Sequence, residues 1–381
     1  MKRINIAVIG LGFGSSFAQI FAHHPNVDKV YVVDNTKERI TEFFEKCEKD
    51  NVYVHESFED VLRDDTIDAV HVCTGIPAHS DMSAAVLKAG KHCACAVPMA
   101  DTIDGIKKVV DAARESGKNY MMMETVLFGA EFLTAKEMKE NGEFGKIQHM
   151  RGLHYQPMDS GYWAEESTKY WRGRPPMHYS THANAPLRAI ADSRIEKVVC
   201  FGTGTMSERL TKVYGNPYPI EDALLSFESG LKAQVVRGLF ECSAYPAEAF
   251  NIYGSQKTIM TEYCEKILEK VHDESFYDHT AFVVENRKWK NFYNLLPKEL
   301  HPFTIELPDN KKANYEEYLD TAPLAGHSGS HPHLCNEFVM SIIEGRKSYV
   351  DEEIASNTTA AGICAHMSAM KDGEIIRVPK F

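Results

Sequence analysis

A glycine-rich turn and an aspartate near the start of the chain form a pattern that could bind a dinucleotide. Gly10, Gly12 and Ser15 follow the apolar run Ile4–Ile9, and Asp34 ends the next apolar run. Gly10 allows a tight turn, and Gly12 lets the backbone approach a pyrophosphate at the N-terminus of the following helix. A carboxylate at Asp34 accepts hydrogen bonds from both ribose hydroxyls and repels a 2′-phosphate. The pattern predicts NAD rather than NADP, and the alternative is a glycine-rich turn followed by a surface aspartate.

Two histidines, His178 and His182, have the spacing of neighbours on one face of a helix, if this segment is helical. Imidazole titrates near neutral pH, so either ring could accept the proton of an alcohol during hydride transfer. Histidines four residues apart are also common as zinc ligands or as hydrogen-bonded structural residues. No glutamate follows His178 in the metalloprotease pattern, and hydride transfer to NAD requires no metal, so we expect none at these histidines.

A second group of histidines, His327, His331 and His333, lies in a segment rich in glycine, serine and proline. Three imidazoles with an open position would suit zinc. The surrounding glycine, serine and proline instead favour a loop that contacts a substrate, or a purely structural role. We therefore place His327 and His331 among the candidate substrate contacts and assign no metal to the group.

Further candidates combine aromatic rings with charged groups. Tyr170, Trp171 and Arg172 offer a platform for a sugar ring beside a bidentate donor, although core packing explains Trp171 equally well. Glu124 follows the last strand of the predicted dinucleotide domain, so it would face the cofactor crevice. Tyr155 is a weaker candidate for contact with a substrate.

Alternating strands and helices position the glycine-rich turn and Asp34. Continuous apolar runs predict buried parallel strands, and the segments between them have helical periodicity. The alternation predicts an α/β fold with a doubly wound parallel (Rossmann) sheet. The predicted strands are 4–9, 30–33, 67–73, 92–96 and 119–123, and the predicted helices are 16–23, 80–89 and 103–116.

The pattern changes after about residue 125. After a helix over 130–140, alternating segments without regular helices between them predict an α+β domain with a large, mostly antiparallel sheet. We expect an NAD-binding domain at 1–124 and a substrate-binding and oligomerisation domain at 125–381. The alternating segments are 148–155, 195–203, 223–227, 233–239 and 250–253, helices return at 334–344 and 354–369, and 264–324 predicts no element.

Composition limits the class of protein. The chain has 381 residues, 44% of them hydrophobic, and a formal net charge of -12, which is typical of a two-domain soluble enzyme and disfavours nucleic acid as a partner. The sequence has no apolar run long enough to span a membrane, and we expect no signal peptide. Nine cysteines without a CxxC pair favour reduced thiols in the cytoplasm.

Several motifs, in order along the chain, resemble the Gfo/Idh/MocA oxidoreductase family. They are Gly10-Leu11-Gly12-Phe13-Gly14, Thr74-Gly75-Ile76-Pro77-Ala78-His79, Ala89-Gly90-Lys91-His92 leading to Pro98, Trp171-Arg172, and His182. The resemblance implies a Rossmann domain followed by an α+β domain, an NAD cofactor and a homo-oligomer. It places Thr74, Pro77 and His79 on the adenosine-diphosphate side of the site, and Ala96 and Val97 against the nicotinamide ribose.

The chain departs from this family at one position that matters for chemistry. Ala96-Val97-Pro98 stands where members usually have Glu-Lys-Pro, and that lysine is the expected acid/base. His182 matches the family's substrate-domain histidine, and His178 falls where many members carry an aspartate. We therefore expect His182 to be the catalytic acid/base, with His178 helping to hold the hydroxyl.

Two further sets of residues are predicted besides the catalytic pair. The cofactor-binding set is Gly10, Gly12, Phe13, Gly14, Ser15, Asp34, Thr74, Pro77, His79, Ala96, Val97, Pro98, Glu124, Trp171 and Arg172. The substrate set is Glu124, Tyr155, Tyr170, Arg172, His178, His327 and His331.

The C-terminal stretch is similar to family members that act on sugars and glycosides, some of them at carbon 3. The similarity lies in 327–333, in Asn336-Glu337-Phe338 and in 361–366. The predicted function is NAD-dependent oxidation of a secondary hydroxyl of a sugar or glycoside to a ketone. Two alternatives stay open: a redox-neutral enzyme that cleaves glycosides while retaining NAD, and a non-catalytic sensor of NAD or sugar that has lost the lysine.

Overall fold

The chain forms two compact units, each built from more than one stretch of sequence. The computed structural model describes residues 2–47, 49–156, 174–241, 247–261, 266–271, 281–286 and 289–381. Unit 1 comprises 1–129, 291–356 and residue 381, and unit 2 comprises 130–290 and 357–380. The two units divide the chain at other residues than the predicted functional boundary after residue 124, and that boundary stays a prediction.

Unit 1 contains a six-stranded sheet whose paired strands are all parallel, with the order β3-β2-β1-β4-β5-β6. This arrangement confirms the predicted doubly wound fold. β1 and β4 are almost wholly buried, as expected for central strands read from continuous apolar runs. The strands are β1 (Ile4–Ile9), β2 (Val27–Val33), β3 (Val52–Val54), β4 (Ala69–Val72), β5 (His92–Cys95) and β6 (Tyr120–Met122).

Helices connect these strands and begin at identifiable caps. The side chains of Ser57 and Thr102 accept hydrogen bonds from backbone N–H groups in the first turns of α3 and α5. The α-helices of the N-terminal stretch are α1 (Gly14–His23), α2 (Lys37–Lys46), α3 (Phe58–Arg63), α4 (His79–Lys88) and α5 (Ile103–Ser116), with 3₁₀ turns at Ile76–Ala78 and Thr125–Phe128. The sequence analysis predicted α1, α4 and α5 but not α2, β3 or α3.

Unit 2 contains a nine-stranded sheet in the order β14-β13-β12-β11-β7-β10-β9-β8-β15. Only β7 and β10 run parallel among its paired strands in the described residues, so the expectation of a mostly antiparallel sheet is confirmed. The strands are β7 (Ile147–Tyr155), β8 (Ile195–Thr203), β9 (Ile220–Phe227), β10 (Lys232–Gly238), β11 (Ala247–Gly254), β12 (Lys257–Met260), β13 (Lys266–Val271), β14 (Ala281–Asn286) and β15 (Ile376–Arg377).

The remaining helices complete both units. The α-helices are α6 (Ala130–Glu140), α7 (Thr181–Ala191), α8 (Glu208–Tyr214), α9 (Asp309–Lys312), α10 (Gly326–Glu344) and α11 (Glu352–Ala369), and the 3₁₀ turns are Pro176–Tyr179, Tyr293–Leu295, Lys298–Thr304 and Tyr315–Tyr318. None of the helices in the described residues has the length and apolar character that crossing a bilayer requires.

Helix α7 lies directly on one face of the unit 2 sheet. A Cβ atom on Gly152 of β7 would overlap the carbonyl oxygen of Ala183, so only glycine permits this close approach. The same phase of β7 carries Met150 and His154 toward the helix, because alternate residues of a strand face the same side. The close packing therefore brings the start of α7, with His182, over the strand that carries His154.

Candidate active site

The glycine-rich turn of unit 1 has the shape that a pyrophosphate requires. Gly10 has a φ of +92°, and a Cβ there would lie 2.6 Å from the carbonyl oxygen of Cys73, so a side chain is excluded. A Cβ on Gly12 would meet only the guanidinium of Arg39, at 3.9 Å, which leaves the outer side of the turn open. Because α1 begins at Gly14, the turn presents its backbone at a helix N-terminus, where anions bind.

Asp34 is fixed against this turn. Its side chain is only 4% exposed; Oδ2 accepts a hydrogen bond from the backbone N–H of Leu11 at 2.7 Å, and Oδ1 accepts one from Thr36 at 2.8 Å. A carboxylate has about four acceptor positions, so it keeps capacity for ribose hydroxyls. The guanidinium of Arg39, not singled out in the sequence analysis, lies 3.8 Å from Oδ2. The residues present therefore fit the adenosine half of NAD.

His79 ties two neighbouring loops of the cofactor site together. Its Nδ1 lies 2.8 Å from the carbonyl oxygen of Pro98 and its Nε2 lies 2.9 Å from that of Thr74. Burial alone would lower the pKa of His79, but Cys95 and the two carbonyl acceptors raise it to about 9. The protonated ring can donate to both carbonyls, so His79 holds the Thr74 and Pro98 segments together rather than facing solvent.

The Val97–Pro98 peptide is cis, and both Ala96 and Val97 are half-buried. The side chain of valine has no exchangeable proton. Glu124 is fully buried in the same unit, and its Oε1 accepts a hydrogen bond from the backbone N–H of Val126 at 3.3 Å. This contact caps the 3₁₀ turn that follows β6, so Glu124 has a structural role besides the predicted ligand contact.

His327 and His331 lie against the glycine-rich turn. The ring of His331 stacks on Phe17 with centroids 4.6 Å apart and meets Phe13 edge-on at 5.3 Å. Nδ1 of His327 is 3.1 Å from Nε2 of His331, and Ser16 Oγ is 3.4 Å from Nδ1 of His331. Burial lowers the pKa of His331 to about 3, so this ring is neutral. The pair therefore belongs to the wall of the cofactor turn in unit 1.

The segment that carries His178 and His182 is not one continuous helix. His178 lies on the 3₁₀ turn Pro176–Tyr179, Ser180 interrupts the helix, and His182 lies in the first turn of α7. The prediction that both histidines share one helix face therefore needs correction. The ring of His178 faces His366 at 5.3 Å, whereas that of His182 meets His154 at 5.1 Å.

A row of ionisable residues crosses the sheet beneath this segment. Strand register places Glu221 of β9 beside Arg237 of β10, Arg237 beside His154 of β7, and His154 beside Glu248 of β11. The sequence analysis missed all four. The available signal was an ionisable residue in a strand phase that otherwise carries apolar residues or glycine.

Two members of this row hold the 3₁₀ turn in place. Oε2 of Glu221 accepts the backbone N–H of Met177 at 2.8 Å, and Oε1 lies 2.6 Å from Nδ1 of His366. Arg237, fully buried, donates to the carbonyl oxygens of Tyr179 at 2.9 Å and His154 at 3.0 Å. Buried charges need such partners because burying an unpaired charge destabilises the fold. The row thereby positions the segment from which both histidines project.

The other members of the row approach His182. One ligating atom from each of His154, His182 and Glu248 lies within 4.8 Å of the other two. Nε2 of His154 is 3.7 Å from Oε1 of Glu248, and the Tyr179 hydroxyl is 3.3 Å from Nε2 of His182. His154 and His182 are buried, whereas the Glu248 side chain is 26% exposed. This group is the polar centre of unit 2.

The other predicted substrate residues do not join the group around His182 in the described part of the chain. Tyr155 packs against the apolar cluster of Leu153, Val236 and Ala249, on the face of the sheet opposite to His154. It is therefore separated from His154 and His182. Tyr170, Trp171 and Arg172 lie outside the described residues.

Comparison with known proteins agrees with the geometry of unit 1. Residues 4–124 match the model of a family described as "Oxidoreductase family, NAD-binding Rossmann fold". This part of the chain is similar to the NAD-binding domain of the Gfo/Idh/MocA oxidoreductase family, and its cofactor is NAD.

The curated relatives cover part of the chain. A glycosyl hydrolase family 109 protein of Shewanella baltica is 29% identical over 201 residues, which are 49% of this chain and 44% of the relative. A protein with the same description from Porphyromonas gingivalis is 26% identical over 218 residues, 53% of this chain and 47% of the relative. The chain thus spans about half the length of the curated relatives it matches.

Solved structures resemble the whole chain in fold. Levoglucosan dehydrogenase in complex with NADH and levoglucosan superposes with a TM-score of 0.76 at 17% identity over 100% of both chains. Myo-inositol 2-dehydrogenase from Lactobacillus plantarum gives a TM-score of 0.73 at 14% identity over 99% of this chain and 100% of the other. These similarities establish the two-part fold of the chain.

Proposed function

We propose that this chain is an NAD-dependent dehydrogenase that oxidises a secondary hydroxyl of a sugar or glycoside to a ketone. The observation that carries the proposal is the buried polar centre around His182 in unit 2, in a chain whose expected lysine position is Val97. Sugar and inositol dehydrogenases of the same fold support the class of substrate.

The chain's own residues divide the work of the proposed reaction. NAD, when bound, accepts the hydride. The turn at Gly12 binds the pyrophosphate, and Asp34 binds the ribose and rejects a 2′-phosphate. Val97 cannot exchange a proton, so proton removal from the substrate falls to the centre that contains His182.

His178 has a supporting role in this scheme. Burial, then His366 and Arg174, lower the pKa of His178 to about 3. A ring with so low a pKa is a poor general base near neutral pH, because general bases act best with a pKa near the working pH. We therefore assign His178 to positioning and hydrogen bonding, and the proton chemistry to His182.

A substrate screen tests the proposal. The purified protein is analysed by mass spectrometry for a co-purified nucleotide, and a panel of monosaccharides and glycosides is then assayed for NADH and for ketone products. We expect NAD and a ketone. If no member of the panel yields a ketone while the protein binds NAD, the dehydrogenase proposal is wrong.

The position of oxidation is a finer part of the proposal. Similarity of the C-terminal stretch around His331 and His366 to glycoside-oxidising members favours carbon 3. Nuclear magnetic resonance of the isolated product locates the carbonyl carbon. A ketone at another carbon would contradict the carbon 3 assignment and leave the reaction class intact.

The names of the curated relatives favour a second candidate function. Both relatives are described as glycosyl hydrolase family 109 proteins. A redox-neutral enzyme would oxidise a sugar, cleave its glycosidic bond, and return the hydride, so that NAD ends unchanged. Net hydrolysis without free NADH would support this candidate, and accumulation of NADH with an intact glycoside would exclude it.

We also propose that the protein works as a cytoplasmic homo-oligomer. Phe201 of β8 and Leu224 of β9 are 53% and 56% exposed on the unit 2 sheet, and a second copy of the chain would cover them. Light scattering coupled to size-exclusion chromatography tests the association. A monomer at micromolar concentration would contradict it.

A further inference from the structure

Three residues of unit 2 converge in the way that metal ligands do. One ligating atom from each of His154, His182 and Glu248 falls within 4.8 Å of the other two. Tetrahedral ligands about 2.1 Å from a zinc ion lie roughly 3.4 Å from one another. The 3.7 Å between His154 Nε2 and Glu248 Oε1 is within a few tenths of an ångström of that value.

The fold fixes these three residues on separate, rigid elements. Strand register puts Glu248 of β11 directly opposite His154 of β7. The close approach of α7 at Gly152 sets His182 above the same pair. Sites built on strands and helices hold their geometry better than sites on loops.

A carboxylate completes the set of donor atoms. Glu248 is the carboxylate next to His154 and His182, and carboxylate oxygens and imidazole nitrogens are ligands that zinc binds. Arg237 donates to three backbone carbonyls and to Oε1 of Gln156, so its guanidinium holds the neighbouring backbone.

The surroundings also provide the support that metal-bound histidines need. Such rings usually give their second nitrogen to a hydrogen-bond partner that fixes their orientation. The Tyr179 hydroxyl lies 3.3 Å from Nε2 of His182, and Arg237 holds the Tyr179 backbone. The partly exposed Glu248 leaves one side of the group accessible to a further ligand.

We propose that His154, His182 and Glu248 bind one divalent transition-metal ion, for which zinc is the best match. Two imidazoles and a carboxylate form a three-ligand set with an open position, as in catalytic zinc sites. This departs from the expectation, drawn from sequence, that His182 needs no metal.

The ion would replace the missing lysine in function, and this part of the inference rests on the proposed dehydrogenase activity. A divalent ion acts as a Lewis acid on a hydroxyl oxygen and lowers the pKa of that hydroxyl. The alcohol then loses its proton to solvent and its hydride to NAD, and the ion neither gains nor loses electrons. His182 would be a metal ligand in this reaction rather than the proton acceptor.

Metal analysis of the full chain is the primary test. Protein stripped with a chelator and dialysed is titrated with Zn²⁺ by calorimetry, and with Co²⁺ by visible absorption, whose intensity reports a four-coordinate site. We expect one equivalent of either ion per chain. Absence of a stoichiometric site for both ions overturns the proposal.

Glu248→Gln is the discriminating variant, because His182 is required both as a general base and as a metal ligand, whereas Glu248 is required only for the metal. The substitution keeps the size of a partly exposed side chain and removes its charge. We expect the affinity for Zn²⁺ to fall by roughly 10–100-fold or more, since loss of outer partners alone costs that much. His149→Asn is the matched control, because His149 lies on β7 with His154 but faces the opposite side of the sheet. Equal affinities of Glu248→Gln and the wild type overturn the proposal.

Activity of the stripped protein separates this inference from the proposed function. Full sugar oxidation without metal would overturn the proposed catalytic role of the ion and leave the dehydrogenase proposal standing. Stoichiometric zinc binding that is lost in Glu248→Gln, with no sugar oxidised by either form, would support the metal site and count against the dehydrogenase proposal.

Discussion

His178 and His182 are four residues apart, yet their surroundings give them different chemistry. His178 is enclosed beside His366, and burial lowers its pKa to about 3. His182 meets His154 and Tyr179, within reach of Glu248. The spacing of the two histidines was visible in the sequence, but the break at Ser180 that separates their partners was not.

Replacement of His182 should remove most of the hydride-transfer rate. Loss of a general base costs about 10²–10⁴-fold in rate, and loss of a metal ligand acts in the same direction. We expect His182→Asn to slow single-turnover reduction of bound NAD by that order, with NAD affinity nearly unchanged. His178→Asn should cost less. A near-normal rate and pH profile in a His182 variant would show that another group removes the proton.

Restoring the family's lysine should not restore the family's chemistry. Val97→Lys places an ammonium in a half-buried position of a site whose proton chemistry we assign to the centre around His182. We expect turnover equal to or lower than that of the wild type, measured as initial rates on the substrate found by the screen. A severalfold increase would mean that position 97 still governs proton transfer.

Asp34 should make the protein prefer NAD over NADP. Its carboxylate is held at the turn by Leu11 and Thr36 and repels a 2′-phosphate. In Asp34→Ser the guanidinium of Arg39, now 3.8 Å from the carboxylate, becomes available to a phosphate. Calorimetric titration should show tighter NAD binding by the wild type and a shift toward NADP of at least about tenfold in the variant. Tighter binding of NADP by the wild type would contradict the assignment.

At the level of elements, the sequence predicted those whose periodicity is regular. The helix 130–140 and the strand 195–203 match α6 and β8, and the buried run 4–9 matches β1. The kinked start of α10 was missed, because His327, Ser328 and Gly329 adopt left-handed backbone angles that no periodicity encodes. The cofactor turn was readable because its chemistry is local.

The polar centre of unit 2 could not be read in the same way. Glu221, Arg237, His154 and Glu248 come from four strands that are far apart in sequence, and only strand order and register make them neighbours. A single chain gives the phase of each strand but not which strands pair. His182 was found because one family motif contains it.

Gly152 should be essential for the contact between β7 and α7. In Gly152→Ala the new methyl group meets the carbonyl of Ala183, so the helix must move away from the strand. We expect a loss of about 1–3 kcal/mol in stability, seen as a melting temperature lower by several degrees, together with weaker Zn²⁺ binding. Gly326→Ala is the control, because its Cβ would find ordinary contact at 3.8 Å. Equal melting temperatures of Gly152→Ala and the wild type would contradict the packing.

At the scale of the whole molecule, unit 1 contains several histidines that burial keeps neutral. Burial lowers the pKa to about 4 for His24 and His333 and to about 3 for His71 and His331. The unfolded chain takes up protons near pH ~6.5, whereas these folded rings do not until pH ~3–4. Their contribution to stability is therefore present above pH ~6.5 and is lost as the pH falls toward the folded values.

Acid should destabilise the protein in the range set by these groups. Calorimetry should show a melting temperature that falls between pH ~7 and pH ~5, with each histidine contributing about 1 kcal/mol per pH unit. His333→Asn removes one such group and should reduce this pH dependence. An unchanged melting temperature across the range would contradict the assignment of neutral buried rings.

Because unit 1 combines distant stretches of sequence, its parts are synthesised at different times. Residues 1–129 leave the ribosome well before α10, which supplies His331 against Phe17 and Asn336 against His24. About 200 residues separate Gly129 from Gly326, so at about 5–20 residues per second the interval is ~10–40 s. During that interval α1 lacks the apolar cover that α10 supplies in the finished chain.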